Sequence, residues 1–314
     1  MMENKNINSI SFAIIIVTYN RKDYLIRCLR GVFSQTLPPK TIYIIDNAST
    51  DGTYDYLKEI GIFSNSKIII KYIYLKKNIG GAGGFYTGLK TAHEEGGYDG
   101  FVLMDDDGLP DKDELKYMAQ FVGLYDYINA FVISDTDNTK TSFPRKNYGF
   151  DRMKIEEESN ADGLILNYSV PFNGTMFSKK LVDKIGYPNP NFFFQGDEAN
   201  YHKRALTAGF MPVTCIKSIH FHPCKIQKVY KFGIGCYKIK LSIEDSPIRI
   251  YCKHRNMVYN RFTIRDYVYI ILTYPLYSYL YLFKGSIKEY FIFNKAVWAG
   301  IKKNLNGHLK YLKQ

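Results

Sequence analysis

The sequence predicts an α/β fold: a doubly wound, mostly parallel sheet followed by a largely helical, basic C-terminal extension. Three observations carry this. Four short apolar segments each run into a polar loop and then a helical pattern within the first 110 residues or so, the rhythm of β-loop-α units with right-handed crossovers. The polar residues gather at the carboxyl ends of those segments, where such sheets bind ligands. The charge is also unevenly divided: residues 1–200 hold 22 Lys and Arg against 26 Asp and Glu, whereas residues 201–314 hold 20 against 4.

Ser11 to Val17 (SFAIIIV) is a continuous β-branched run of strand length, expected where both faces of a parallel strand are covered. It ends at Thr18-Tyr19-Asn20-Arg21, and Leu25, Cys28, Leu29 and Val32 then recur at helical spacing. A second strand, Thr41 to Ile45, meets the turn-rich Asp46 to Gly52, which precedes a helix from Thr53. A third, Lys67 to Leu75, reaches Asn78-Ile79-Gly80-Gly81-Ala82-Gly83-Gly84 and a helix through His93. A fourth, Gly100 to Met104, stops at Asp105-Asp106-Asp107.

The Asp triplet is the sharpest signal. Adjacent carboxylates repel unless protons or a cation compensate, and in an extended segment Asp105 and Asp107 face the same way. Mg²⁺ or Mn²⁺ takes carboxylate oxygens together with substrate phosphates, so the triplet is a candidate site for a metal diphosphate; the plainer alternative is an acidic turn before the helix near Asp111. The glycine cluster lacks G-x-G-x-x-G spacing, because Tyr86 stands where the last glycine belongs. It is either a close-approach surface for a donor or a turn opening a helix. Phe192 to Glu198 (FFFQGDE) sets two acids behind an aromatic block and ahead of a helical stretch, Ala199 to Ala208. An acid so placed can serve as a general base with raised pKa, as a helix cap, or as both. Cys215, His220, His222 and Cys224 have zinc-like composition, yet strand alternation turns Cys215 away from the other three; one His is then either an added ligand for a divalent metal or an ordinary packed or surface histidine.

In order, IIIVTYNR, IIDNASTDGT, NIGGAGGFYTGL, VLMDDDG, NGTMFS, FFFQGDEANYHKRALTAGF and later His-Pro and HRN segments resemble the inverting family 2 glycosyltransferases of the GT-A fold, with its Rossmann-like sheet. The closest flavour is that of bacterial galactofuranosyl- and rhamnosyltransferase-like enzymes, and the resemblance spans roughly residues 12–262. It implies that Thr18, Tyr19, Asn20, Arg21 and Asp46 line the nucleotide, that Asn78, Gly81, Gly83 and Gly84 face the donor, and that Asp105, Asp106 and Asp107 form the metal-diphosphate element. It further implies Glu198, with Asp197 beside it, as general base, and His222 rather than His220 as the metal-binding histidine. The implied donor is a UDP- or dTDP-sugar carrying galactofuranose, rhamnose or a hexose. Displacement at an anomeric carbon needs a base on the acceptor hydroxyl and a Lewis acid on the departing diphosphate.

The chain has 314 residues and a net charge of +12, which taken whole points to nucleic acid; resolved along the chain, the basic share lies almost wholly in the C-terminal extension. Residues 1–229 are expected to form the catalytic domain, with a nucleotide-sugar half at 11–110 and an acceptor half at 111–229, and residues 230–314 the basic region. Within the latter, Tyr267 to Phe283 is an uncharged stretch of seventeen residues with six tyrosines and Pro275 at its middle. It reads as a broken helix that lies in or on the headgroup region, with Lys284, Lys288, Lys295, Lys302, Lys303, Lys310 and Lys313 meeting anionic lipid, or packs against the catalytic domain; the alternative is a Tyr-rich helical subdomain with a solvated basic face. The expected partners are therefore a nucleotide sugar, a lipid-linked saccharide acceptor of capsule or O-antigen type and the inner face of the cell membrane, with no nucleic acid. The rival class is an inert basic module that binds nucleic acid or lipid surfaces. Five cysteines (Cys28, Cys215, Cys224, Cys236, Cys252) without CxxC spacing suggest reduced thiols in the cytoplasm, and the short apolar run near the N-terminus does not suggest secretion.

Overall fold

All seven residues of β1 (Phe12–Thr18) and all six of β2 (Thr41–Asp46) are buried, which is why their sequences are unbroken apolar runs rather than alternating ones. The structure is a computed structural model that describes residues 7–64, 67–145, 147–224, 229–233, 239–261 and 263–312; Cys236 and Lys313 lie outside these. The remaining elements of the first part are α1 (Lys22–Phe33), α2 (Thr53–Glu59), β3 (Ile69–Tyr74), α3 (Gly80–Glu95), β4 (Gly100–Asp105), β5 (Leu109–Pro110), α4 (Glu114–Ala119), β6 (Tyr127–Ser134), β7 (Lys140–Arg145), β8 (Gly149–Asp151) and α5 (Arg152–Glu156). They are followed by β9 (Leu164–Leu166), β10 (Thr175–Ser178), α6 (Lys179–Ile185), α7 (Asp197–Thr207), β11 (Val213–His222), β12 (Val229–Phe232), β13 (Ile239–Ser242), α8 (Pro247–Tyr259), α9 (Ile264–Phe283) and α10 (Ile287–Ile301).

The main sheet runs β3-β2-β1-β4-β10-β6-β11-β5. Its first four strands are parallel, β10 is antiparallel to both β4 and β6, and β11 returns parallel to β6. The chain steps outward from β1 to β2 and β3, then crosses to β4 on the other side. This reversal opens a crevice at the carboxyl ends of β1 and β4. One face of the sheet carries a core around Ile14, Ile16, Leu29, Val102 and Met104, and the other a core around Ile15, Phe85, Leu103, Phe177 and Tyr201.

The chain divides into two compact units: Met1–Pro190 with Tyr201–Lys225, and Asn191–Asn200 with Ile226–Gln314. The sequence reading puts a boundary at 229/230; the structural division falls at 225/226 and also groups Asn191–Asn200, the segment of the acidic pair, with the C-terminal unit.

That second unit has its own core, in which Ile250 and Val258 of α8, Tyr277, Leu280 and Tyr281 of α9, and Phe293, Ala296 and Val297 of α10 pack together. The expected break at Pro275 does not occur: α9 is continuous over twenty residues. Proline removes one intrahelical donor, but here a Thr263/Asp266 capping box secures the first turn and the buried Tyr277, Leu280 and Tyr281 hold the last. Among the described residues, no helix is long and apolar enough to cross a membrane. The outward face of α9 is nonetheless apolar: Ile264, Ile271 and Phe283 are 85%, 70% and 69% exposed. On α10, Ile287, Phe291, Trp298 and Ile301 form an exposed stripe, with Lys288, Lys295 and Lys302 exposed beside it at seven-residue intervals.

Candidate active site

The polar residues at the ends of β1 and β4 meet because the strands are in register, Val17 opposite Asp105 on one side and Thr18 opposite Asp46 on the other. Thr18 is buried and its hydroxyl donates to Asp106 Oδ2 at 2.8 Å. Arg21 Nη1 lies 3.2 Å from Asp106 Oδ1 and 3.0 Å from Asp107 Oδ2. Burial pushes the Asp106 carboxyl up to about 6 against the opposing pull of Arg21. Burial, with Asp107 alongside, pushes Asp105 up to about 7. Asn173, in the loop before β10, donates to Asp105 Oδ2 at 3.3 Å and accepts the Asp105 backbone N–H.

Asp105, Asp107 and His222 each present one ligand atom, all within 4.8 Å of one another, and among the described residues they are the group that could hold a metal ion. His222 reaches this point from the end of β11. Its Nδ1 is 2.9 Å from the Pro223 carbonyl, which fixes that nitrogen as the donor and turns Nε2 to Asp107 Oδ1, 3.3 Å away. Burial pulls the imidazolium down, but contact with Asp107 and the charge of Asp105 outweigh it, and the His222 pKa is raised. Two crowded carboxylates, Asp105 with its pKa raised and Asp107 facing an oriented imidazole nitrogen, have the donor chemistry of a divalent-cation site, and the residues fit such an ion. His220 is elsewhere: fully buried, with Nδ1 2.9 Å from Glu114 Oε2. Gly108 closes over this pair, since a Cβ there would stand 2.2 Å from His220 Nε2.

The zinc-like set does not assemble. Cys215 is buried in the core, β11 is irregular between Cys215 and Ile219, and the strand ends before Cys224.

At the end of β2, the buried Asp46 accepts from Ser49 N at 2.7 Å and from the Tyr72 hydroxyl. Asn20, held at φ 52°, donates its N–H to Ser49 Oγ at 2.9 Å and accepts the Thr50 N–H at 2.7 Å, so the two loops are tied together while Tyr19 stays 43% exposed. Asn78 accepts the Gly80 N–H at 2.8 Å and opens α3. The glycines then divide by role. The Cβ position of Gly81 is open, whereas a Cβ on Gly83 would lie 2.6 Å from Ile79 and one on Gly84 2.5 Å from Val17. Gly84 thus seats the helix on the sheet, Gly83 packs against Ile79 at the helix's own N-cap, and Gly81 alone of the three is left open.

Asp197 is buried and Glu198 half-buried at the start of α7. Glu198 Oε2 accepts the Gly196 N–H at 2.7 Å. The turn before it is held against backbone preference: Phe193 and Gln195 have φ of 69° and 62°, a conformation costing such residues on the order of 1–3 kcal/mol each. Sequence reasoning missed Asn173, Glu114 and the α8 side chains that grip this turn; the NGTMFS segment held the signal for Asn173 and the HRN segment that for α8, while Glu114 had none.

Residues 13–186 match the sequence profile of Glycosyl transferase family 2. The chain is 28% identical over 251 residues to the galactofuranosyltransferase GlfT1 of Mycobacterium tuberculosis, covering 78% of this chain and 80% of that protein. It is 34% identical over 142 residues to the Escherichia coli UDP-Glc:alpha-D-GlcNAc-diphosphoundecaprenol beta-1,3-glucosyltransferase WfaP, covering 44% and 53%. The crystal structure of S. aureus TarS 1-349 in complex with UDP-GlcNAc superposes with a TM-score of 0.56 at 17% identity, over 94% of this chain and 81% of that one; at that identity the likeness shows the fold, the mixed α/β GT-A type. Because the family profile covers more than half of its residues, the chain belongs to glycosyl transferase family 2.

Proposed function

We propose that this enzyme is an inverting, divalent-metal-dependent glycosyltransferase that moves a sugar, foremost galactofuranose, from a nucleotide-diphosphate donor to a lipid-linked glycan in bacterial cell-surface polysaccharide assembly. The observation that carries the reading is the convergence of Asp105, Asp107 and His222 at the strand ends. These three would hold Mg²⁺ or Mn²⁺, which when bound supplies Lewis-acid stabilisation of the departing diphosphate. Thr18 and Arg21 brace the acidic triplet, while Tyr19, Asn20, Asp46, Asn78 and Gly81 receive the nucleotide. Glu198, or Asp197 next to it, takes the proton of the acceptor hydroxyl. Galactofuranose is favoured by the GlfT1 relatives and a lipid-linked acceptor by the printed activity of WfaP.

The second unit supports peripheral attachment to an anionic membrane. Its exposed apolar faces on α9 and α10, flanked by lysines, are suited to the headgroup region, and the reading puts the enzyme on the cytoplasmic side, where nucleotide sugars are supplied. The test is a donor panel of UDP-galactofuranose, UDP-galactose, UDP-glucose and dTDP-rhamnose with Mn²⁺ or Mg²⁺. One donor is expected to raise the melting temperature in a metal-dependent, concentration-dependent way and to be turned over. Equal behaviour with and without metal overturns the metal part, and no turnover of any nucleotide sugar overturns the enzyme reading.

A further inference from the structure

We propose that Arg255 and Asn256 of α8, with Asn260 at its C-cap, are positioning residues that set the acidic pair Asp197-Glu198 for its work. The proposal rests on the reading that this pair supplies the base. Asn256 and Asn260 are four apart and so share one face of the helix. The Asn256 amide nitrogen lies 3.1, 3.0 and 2.6 Å from the carbonyls of Phe192, Phe194 and Gln195. Asn260 Nδ2 donates to the Gly196 carbonyl at 2.7 Å, and its oxygen accepts from Asn200 Nδ2 at 3.1 Å. Together these two side chains hold the backbone of the whole turn that leads into Asp197.

Arg255 fixes the orientation of the clamp. It is fully buried, and its Nε donates to Asn256 Oδ1 at 2.8 Å, which decides which end of the Asn256 amide faces the turn. Its Nη2 donates to the Phe192 carbonyl at 2.7 Å, and its Nη1 to the Leu305 carbonyl and to His308 Nδ1 at 3.0 Å. A buried guanidinium whose described partners are carbonyls, an amide, an imidazole, the Cys252 sulfur and the Tyr251 ring is an expensive arrangement. Ordinary packing of a helix on a loop does not require it; fixing a turn with left-handed Phe193 and Gln195 does. The Gly196 N–H, aimed by this turn, is in turn the donor that holds Glu198 Oε2. Side chains that hold a reacting group in place act on the chemical step, and a displacement of about 1 Å can lower a rate on the order of 10²-fold.

The experiment compares full-length wild type with Asn256→Ala, Asn260→Ala, Asp197→Asn and Glu198→Gln. Two quantities are measured: nucleotide release from the fastest-turned-over member of the donor panel, and binding of UDP with Mn²⁺, which reports folded molecules. The expected result is a kcat lowered by on the order of 10²-fold in Asn256→Ala and less in Asn260→Ala, with donor KM and UDP affinity unchanged. Combining Asn256→Ala with the slower acid variant is expected to cost little beyond that acid variant alone, because the clamp acts through the acid. Wild-type turnover per UDP-binding molecule, or a loss that adds in full to that of the acid variant, overturns the proposal. Should Asn256→Ala fail to fold, the half-buried Asn260 decides alone, and wild-type turnover in Asn260→Ala overturns the proposal. If both acid variants keep wild-type turnover, the base reading itself has failed and the positioning role falls with it; this differs from acid variants that lose turnover beside clamp variants that do not.

Discussion

Nε2 of His222 lies 3.3 Å from Oδ1 of Asp107, while Nδ1 of the same ring is committed to the Pro223 carbonyl. Such an arrangement has either a proton or a cation between nitrogen and carboxylate. Asp107→Asn and His222→Ala are each expected to weaken Mn²⁺-dependent UDP binding by at least about tenfold, since even the outer partners of metal ligands are worth about 10- to 100-fold. Titration calorimetry with and without Mn²⁺ checks this, and unchanged metal affinity in both variants counts against the site.

The elevated Asp105 pKa has a sign that can be tested without ligand. A carboxyl raised to about 7 in the folded protein, from its ordinary value near 4, binds more protons folded than unfolded between those pH values. Metal-free stability from this group is therefore greatest at low pH and falls as pH rises towards 7. Asp105→Asn removes the penalty. The variant is expected to melt at least about 2 °C above wild type at pH 8 in EDTA and to lose that advantage at pH 5. Thermal unfolding at the two pH values reads the difference, and Mn²⁺ at pH 8 is expected to benefit wild type more than the variant.

The acidic pair predicts a division of labour. Loss of a general base costs about 10² to 10⁴ in rate, so one of Glu198→Gln and Asp197→Asn is expected to lose that much kcat. Glu198 is the expected one, because it is the half-buried member. Steady-state kinetics with the selected donor assign the role; a larger loss in Asp197→Asn transfers it to Asp197.

Glu114 and His220 are both fully buried, and Glu114 Oε1 and His220 Nε2 have no hydrogen-bond partner among the described residues. Removing one member leaves the other without its partner in the interior, a loss on the order of 3–5 kcal/mol. Glu114→Ala is accordingly expected to unfold at markedly lower urea concentration than wild type. Equal midpoints would show that the pair carries no stability.

The apolar faces of α9 and α10 predict salt-sensitive lipid binding. Full-length protein is expected to sediment with phosphatidylglycerol vesicles at low salt and less at high salt. Ile271→Asp and Phe291→Asp, at positions 70% and 56% exposed, are expected to reduce it without lowering the melting temperature. Undiminished binding in both variants would remove these faces from the attachment surface.

The strands that frame the site were legible because β1, β2 and β4 are buried and spell it out in unbroken apolar runs. The Asp triplet was legible because its members are adjacent in sequence. Glu114 and His220 are 106 residues apart and neither has a local signal, so only the folded sheet brings them together. Gly84 was ambiguous for a related reason: a missing side chain fits a ligand's approach and a helix seated on a strand equally well. Pro275 misled because its local cost is real, yet packing of Tyr277, Leu280 and Tyr281 overrides it.

Grouping Asn191–Asn200 with the C-terminal unit has a bearing on how such enzymes can be cut and recombined. A truncation after residue 229 would keep Asp197 and Glu198 but discard Asn256, Asn260 and Arg255, leaving the acids in a turn without these side chains on its left-handed backbone. A chimera that exchanges the helical region between two homologues would need to transplant this short stretch along with it, because the ten residues and the distant helix form a single inheritable cassette.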